Sequence, residues 1–582
     1  MAATISFDFQ NYLLIIFLCS LAAIYIFARF FKKPKDGFDL PPSPPSLPII
    51  GHLYLFLSPL IHKSLQRISN KYGPLLHLRI FNYTILLVSS PTALYEIIKA
   101  HDVNMSSRGL APFKESLTFG TSGFVMAPYG DYWKFMKKLV VMNLTGMQTQ
   151  QQSRSARAVE VERLYMKLLD KSRKKESVDI HKEVKGLVSN ILFKMTLGRS
   201  CLEENSEAEK VTQLSDQIFI LSKKLFLAHI LKEPLEKIGI SLYRKETMSV
   251  SDKLDELLER IIGERKEKLD KDQGTDLLDT LLSAYRDENA EYKLTMNHIK
   301  AGMKGLKRKR PSTGGGVSSR TRARKAVSNG NEPVREESNP VRGTSVVSLS
   351  LDPESEGMSA VSSKELFVGG TDTSSSTIQW IMAEIINSPN TLRKLRKEID
   401  SVVGRTRMIQ ETDLPKLPFL EAVFKEGLRL HGPSPLLIRK FQEGYKIRGG
   451  FYIPENTTLV VNAYAIMRDP NFWEDPDEFK PERFMGDLKP EEEARREQAL
   501  RYIPFGIGRR ACTGEKLSGI FVRTVIGVMV QCFDWEIKGD KVNMEEAGGR
   551  IFLGMAHPLE CTPSPRALNH PLPSHLISSS ST

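Results

Sequence analysis

Phe505-Gly-Ile-Gly508-Arg-Arg510-Ala-Cys512-Thr-Gly514 sets one cysteine in a loop with three glycines and two arginines. Glycines let a backbone approach a flat cofactor and aim amide N–H groups at a single sulfur. Arg510 stands two residues before Cys512 and can offset nearby anionic charge. Both features favour thiolate over thiol. A buried thiolate with N–H donors around it is a good axial ligand for haem iron, and thiolate ligation favours O–O cleavage. The apolar run Leu517–Phe533 that follows reads as a buried helix. The rival reading is a glycine-rich loop around an inert cysteine, which the motifs below argue against.

The chain around this loop has 582 residues, with 41% hydrophobic and 26% charged residues, an ordinary globular balance that can bury a large cofactor. Its five cysteines, Cys19, Cys201, Cys512, Cys532 and Cys561, are far apart and form no CxxC pair. That excludes a disulfide framework and a cysteine-based zinc site, and suits a reducing compartment. The net charge of +13 fits either scattered basic clusters or a nucleic-acid surface.

At the N-terminus, Tyr12–Ala28 is almost wholly apolar and is followed by Arg29, Lys32, Lys33 and Lys35. The span is just long enough to cross a bilayer. No Lys or Arg precedes it, which argues for a retained anchor over a cleaved signal peptide. The basic flank places the main body on the cytosolic side. Leu40-Pro-Pro-Ser-Pro-Pro-Ser-Leu-Pro48-Ile-Ile-Gly51 reads as a stiff, extended hinge that orients this body.

These features divide the chain into an anchor and basic flank (1–35), a proline-rich hinge (36–52), a mostly helical segment (53–300), an insert (301–363), a second patterned segment (364–562) and a Ser- and Pro-rich tail (563–582). Within 53–300, His77–Ile80 and Tyr83–Ser89 read as strands, and Val178–Leu197 and Val250–Lys268 as helices with charged faces. The insert has 11 Lys or Arg against 6 Asp or Glu and few large apolar residues. It reads as disordered. Lys307-Arg-Lys-Arg310 within it has the look of a nuclear or nucleic-acid patch, but such short runs arise readily by chance.

Several further segments bear on Cys512. Lys425-Glu426-Gly-Leu-Arg429-Leu-His431 puts Glu426 and Arg429 on one helical face, and Pro481-Glu-Arg483-Phe484 follows downstream. Phe367-Val-Gly369-Gly370-Thr-Asp372-Thr373-Ser374 combines small residues with an acid beside a hydroxyl, a pairing suited to proton transfer. Its rival reading is a helix N-cap. Trp133-Lys-Phe-Met-Lys137 and Pro433-Ser-Pro-Leu-Leu-Ile-Arg439 each end on a cation.

Together these segments resemble the cytochrome P-450 family, and most closely plant microsomal members of specialised metabolism, including triterpene oxidation. The loop resembles the haem signature F-x-x-G-x-R-x-C-x-G at Phe505, Gly508, Arg510, Cys512 and Gly514, with Ala511 and Thr513 where plant members commonly have Gly and Pro. The resemblance implies a mainly α fold with a smaller β portion near its N-terminal side, a single N-terminal transmembrane helix, and haem b between the family's I and L helices. It implies Cys512 as the metal ligand and Asp372 and Thr373 as the proton relay over the oxygen site. Trp133, Lys137 (for the usual Arg), Arg439 and Arg510 would hold the haem propionates, and Glu426, Arg429 and Arg483 would form a buried structural triad. Substrate contacts are expected in Phe113–Phe124 and Leu436–Ile438.

The implied activity is insertion of one oxygen atom from O2 into a hydrophobic triterpenoid or phenolic small molecule. Electrons would come from NADPH through a separate reductase docked on a basic surface, at the endoplasmic reticulum membrane with the haem domain in the cytosol. No nucleic acid is expected as a partner. One departure matters: 65 residues, 301–365, stand where the family has only a few, inside the first half of the oxygen-site helix. Either the insert loops out and the helix restarts near Lys364, or the chain is catalytically impaired. A haem-thiolate isomerase or dehydratase that needs no O2 is a further rival, which the Asp372–Thr373 pair argues against.

Overall fold

Alternation in Leu75–Ile80 buries Leu76, Leu78 and Ile80 and leaves His77 and Arg79 partly outside, the period of a half-buried strand. This strand (β1) pairs antiparallel with Tyr83–Val88 (β2). The computed structural model describes residues 39–109, 125–142, 146–197, 207–237, 239–254, 361–447, 450–486 and 499–566, with a few isolated positions besides.

The other strands that place the site are Val178–Asp179 (β3), Leu436–Lys440 (β4), Thr458–Asn462 (β5), Phe533–Ile537 (β6) and Glu560–Pro565 (β7), and Tyr445–Lys446 pairs with Tyr452–Ile453 in a separate two-stranded sheet. One sheet has the order β1-β2-β5-β4, with β5 parallel to β2 and antiparallel to β4. All five residues of β5 are buried, as its central place requires. The second sheet has the order β3-β7-β6. The expectation of a β portion near the N-terminal side is therefore corrected. These two sheets join distant parts of the chain, and in the first the parallel neighbour β5 is reached by a long crossover.

The helices that place the site are Asp131–Val140 (α1), Arg154–Arg173 (α2), Ile180–Leu197 (α3), Glu207–Ile230 (α4), Val361–Asn387 (α5), Pro418–His431 (α6) and Glu515–Cys532 (α7). Ile378, Trp380, Ile381, Met382, Ala383 and Ile385 of α5 are fully buried, so this helix is covered on all sides. It packs against α3, α6 and α7. Val361–Ser363, read in sequence as the end of the insert, already form its first turn. Val178 and Asp179, read as helical, are a strand paired to β7.

The hinge lies on β1. His77 N donates to Pro42 O at 2.8 Å, and His52 Nε2 lies 2.9 Å from Pro44 O while its Nδ1 accepts from Arg79 N at 2.9 Å. No described helix is long and apolar enough to cross a membrane. The anchor expected at Tyr12–Ala28 lies, but for four positions, outside the described residues, as do most of the insert and the segment 110–124.

Helices α5 and α6 meet at Gly427, where an added Cβ would stand 2.3 Å from Ile381 Cγ1. Gly427→Ala is expected to destabilise the protein by about 1–3 kcal/mol through overpacking. Gly186 in α3 has nothing within 4 Å of such a Cβ. Gly186→Ala should instead be stabilising by about 0.5–1 kcal/mol, since alanine loses less backbone entropy in a helix. Urea denaturation of the two variants beside the parent checks both signs.

Candidate active site

Cys512 is held by its own loop. Its N–H donates to Phe505 O at 2.8 Å, and Gly514 N–H donates to its Sγ at 3.3 Å. Gly506 and Gly508 take left-handed backbone conformations, with φ of 77° and 62°, which glycine adopts without strain. The side chain opens to the space in front of the loop. The protein around the sulfur still desolvates it enough to push the thiol above its ordinary value, with the Gly514 N–H pulling the other way.

This corrects the expectation that the loop and Arg510 by themselves favour thiolate. Arg510 turns to backbone carbonyls instead, donating to Ser106 O, Val125 O and Ala127 O. The cation whose field lowers the sulfur is Arg108. A ligated metal ion deprotonates a coordinating thiol outright, so ligation does not require a pre-formed thiolate.

A cluster of cations gathers beside the loop. The Arg510 guanidinium lies 4.4 Å from the Trp133 ring centroid, and Lys137 Nζ lies 5.1 Å from it. Lys137 also donates to Arg509 O at 2.7 Å. On β4, Arg439 is 7% exposed and, among the described residues, bonds to carbonyls alone, Ile438 O at 2.9 Å and Arg510 O at 3.4 Å. Burial, and then the charges of Arg108 and Arg510, push Arg439 down from 12.5 to about 9. Lys137 is lowered by burial and by Arg510.

Arg108 was not legible as a site residue. It enters because Ser107 pairs with Lys440 at the end of β4, which sets Arg108 beside Arg439. Such crowding of like charges disfavours the charged forms unless anions answer them. A pair of carboxylates on a flat cofactor would do so, and the donor set, Lys137 and Arg510 over the Trp133 ring with Arg439 and Arg108 alongside, fits the propionates of a haem.

Gly369, Asp372 and Thr373 lie within α5, well past its start, which rules out the N-cap reading. Thr373 Oγ1 donates to Gly369 O at 2.6 Å, one turn back on the same face. The two glycines differ. Gly369 faces open space, whereas an added Cβ on Gly370 would stand 2.8 Å from Leu192 Cδ1 of α3. Only the first leaves room beside the helix; the second allows the helices to approach.

Asp372 points towards α3. Its Oδ1 is 2.5 Å from Lys185 Nζ and 3.7 Å from His181 Nε2. Lys185, only 6% exposed, also pairs with Asp216 of α4. Burial would raise the Asp372 carboxyl, but His181 and Lys185 outweigh it and hold it down, from 3.8 to about 2. Lys185 was also missed in the sequence: its spacing from His181 marks a polar face but not the partner. Thr373, Asp372, Ser376, Gln379, Pro433 and Leu553 are among the walls of a cavity of about 1070 Å³, and Cys512 lies outside those walls. Leu436 and Leu437, expected to contact substrate, are buried in the sheet.

Behind the loop, Glu426 and Arg429 of α6 are fully buried and joined by bonds of 2.7 and 2.9 Å. Arg483 Nε reaches Glu426 Oε1 at 2.9 Å, and Arg429 also donates to Met467 O and Pro476 O.

Comparison with known proteins agrees with this geometry. The cytochrome P450 family model matches residues 41–306 and 354–560, in two segments that leave out 307–353. Cytochrome P450 705A22 of Arabidopsis thaliana is 54% identical over 570 residues, covering 97% of this chain and 99% of that relative. Cytochrome P450 705A1 of the same plant is 53% identical over 96% of each chain. The 3,9-dihydroxypterocarpan 6A-monooxygenase of Glycine max is 34% identical over 95% of this chain and 98% of its own length. A lone cysteine in a glycine-cradled loop, a cluster of cations beside it and a near full-length match lead to one conclusion: this chain belongs to the cytochrome P450 family and is a cytochrome P450 monooxygenase.

Proposed function

We propose that this chain hydroxylates or epoxidises a hydrophobic small molecule of plant specialised metabolism, a triterpenoid or phenolic. One atom of O2 enters the product and the other leaves as water, with two electrons and two protons consumed. The electrons come from NADPH through a separate reductase, at the endoplasmic reticulum membrane, where the Tyr12–Ala28 segment anchors a cytosolic catalytic domain. The observation that carries the reading is Cys512, held by Gly514 N–H in front of a buried cation cluster.

Haem b, when bound, supplies O2 activation, and its thiolate ligand favours O–O cleavage. Cys512 provides that ligand, while Phe505, Gly508 and Gly514 shape the loop that presents it. Trp133, Lys137, Arg439 and Arg510, with Arg108, hold the propionates. Glu426, Arg429 and Arg483 lock the chain behind the loop.

Asp372 and Thr373 move the protons. A carboxyl held at about 2 is an acceptor at neutral pH and cannot by itself donate. To carry a proton inward it must first part from His181 and Lys185, and the Thr373 hydroxyl must leave Gly369 O. The relay therefore works by rotation of side chains within α5, gated by α3.

Three outcomes are expected. The reduced protein under carbon monoxide should show the red-shifted thiolate band, and Cys512→Ala should abolish it; a parent protein without that band sinks the haem-thiolate reading. Asp372→Asn should keep the band while turnover falls by about 10²-fold or more, the scale of a lost proton-transfer group. The same variant bears on acid stability. A carboxyl depressed from 3.8 to about 2 contributes stability that is full above pH 3.8 and lost as pH falls through about 2. Acid unfolding curves of Asp372→Asn should lack that dependence.

Removal of residues 307–353 tests whether the chain is impaired. Haem content per chain should be the same before and after deletion. Haem gained only on deletion would favour a catalytically impaired protein.

A further inference from the structure

Asp102 directly follows the helix Pro91–His101 and is some four hundred residues from Cys512 in sequence, yet its carboxylate meets the cysteine loop. Arg509 N donates to Asp102 Oδ1 at 3.4 Å, and Arg509 Nε lies 3.2 Å from Oδ2. The approach is close on the other side as well: a Cβ on Gly508 would stand 2.3 Å from Oδ1. The glycine at this motif position is therefore demanded twice, by its left-handed backbone and by the carboxylate against it.

Asp102 is itself tied down, because Ser106 Oγ donates to its carbonyl oxygen. Arg509 continues the link, donating to Tyr129 Oη at 3.1 Å, and the Tyr129 ring lies 5.4 Å from that of Trp133. Among the described residues, Asp102 is also the carboxylate whose field acts on both Lys137 and Arg439, against the mutual repulsion of the cations.

We propose that Asp102 is a positioning residue for the Cys512 loop. Its carboxylate fixes the Gly508–Arg510 turn from the side and supplies negative charge that offsets part of the adjoining cations' repulsion. The inference rests on the haem-thiolate reading above. The Asp102 side chain is about one-third exposed, and ion pairs of that kind add little to folding stability. Its effect belongs to the geometry and charge of the loop, which is where a purely structural residue would leave no trace.

The test uses the full-length, haem-loaded protein in membranes. Asp102→Asn keeps an oxygen to accept from Arg509 N but removes the charge; Asp102→Ala removes both. With Asn, the midpoint potential of the haem should move positive, since loss of a nearby anion favours the reduced state, while the thermal unfolding midpoint stays at that of the parent. With Ala, the thiolate band of the reduced carbon monoxide complex should decay several-fold faster than in the parent. An unshifted potential in Asn, or a parent-like decay rate in Ala, overturns the proposal. A parent protein with no thiolate band at all overturns the haem-thiolate reading itself, and this inference with it, and so is distinguished from either result.

Discussion

Two arginines share one carboxylate in the middle of this protein, and the cysteine loop is built on that arrangement. Glu426 is fully buried and accepts from Arg429, Arg483 and the backbone of Lys480. Burying three charges costs several kcal/mol per ion unless every lone pair and proton finds a partner. Here the surplus donors of Arg429 and Arg483 go to the carbonyls of Met467, Glu474, Pro476 and Glu478. The irregular chain between β5 and Phe484 has no sheet or long helix to satisfy those carbonyls. The triad does so, and it thereby gives a loop region the rigidity of an element.

That rigidity reaches the ligand through aromatic contact. Phe484, next to Arg483, packs edge-on against Tyr502 at 5.3 Å between centroids, three residues before Phe505. From the other direction, the end of α6 meets the loop at Gly432, where a Cβ would stand 3.7 Å from Pro504 Cβ. The sulfur is held from behind by apolar and ionic packing, and from the front the site is left positively charged. Burial first, and the neighbouring cations after it, disfavour the charged form of Arg439, and an anionic cofactor relieves both. Cofactor binding and local stability are thus linked, because what binds the folded state stabilises it.

What could be read from the sequence followed this division. Cys512, Arg510 and the Glu426–Arg429 pair sit in short local patterns, and β1, β2 and α7 were legible from their local apolar content to within two residues. Arg108 and Lys185 did not appear, because their roles arise only from tertiary pairing: a single bridge between Ser107 and Lys440, and the packing of α3 on α5. The sheets were misplaced for the same reason, since β5 pairs with a strand some 370 residues away, and no local signal reports such a partner. Arg510 shows a subtler failure. Its closeness to Cys512 in sequence suggested an electrostatic partner, but its guanidinium turns away from the sulfur and donates to the carbonyls of residues 106, 125 and 127.

The acid of the proposed proton relay brings these strands together. Asp372 is the one relay group whose state is set by helices other than its own, since Lys185 on α3 grips it and also grips Asp216 on α4. Two carboxylates therefore compete for one buried ammonium. A displacement of α4 that strengthened the Asp216–Lys185 pair would weaken the grip on Asp372, raise its proton affinity and free it to rotate. The reverse displacement would lock it as an anion. Because α4 also contributes Phe219 to the wall of the cavity that holds Thr373, occupancy of that cavity and readiness of the relay act on the same lysine.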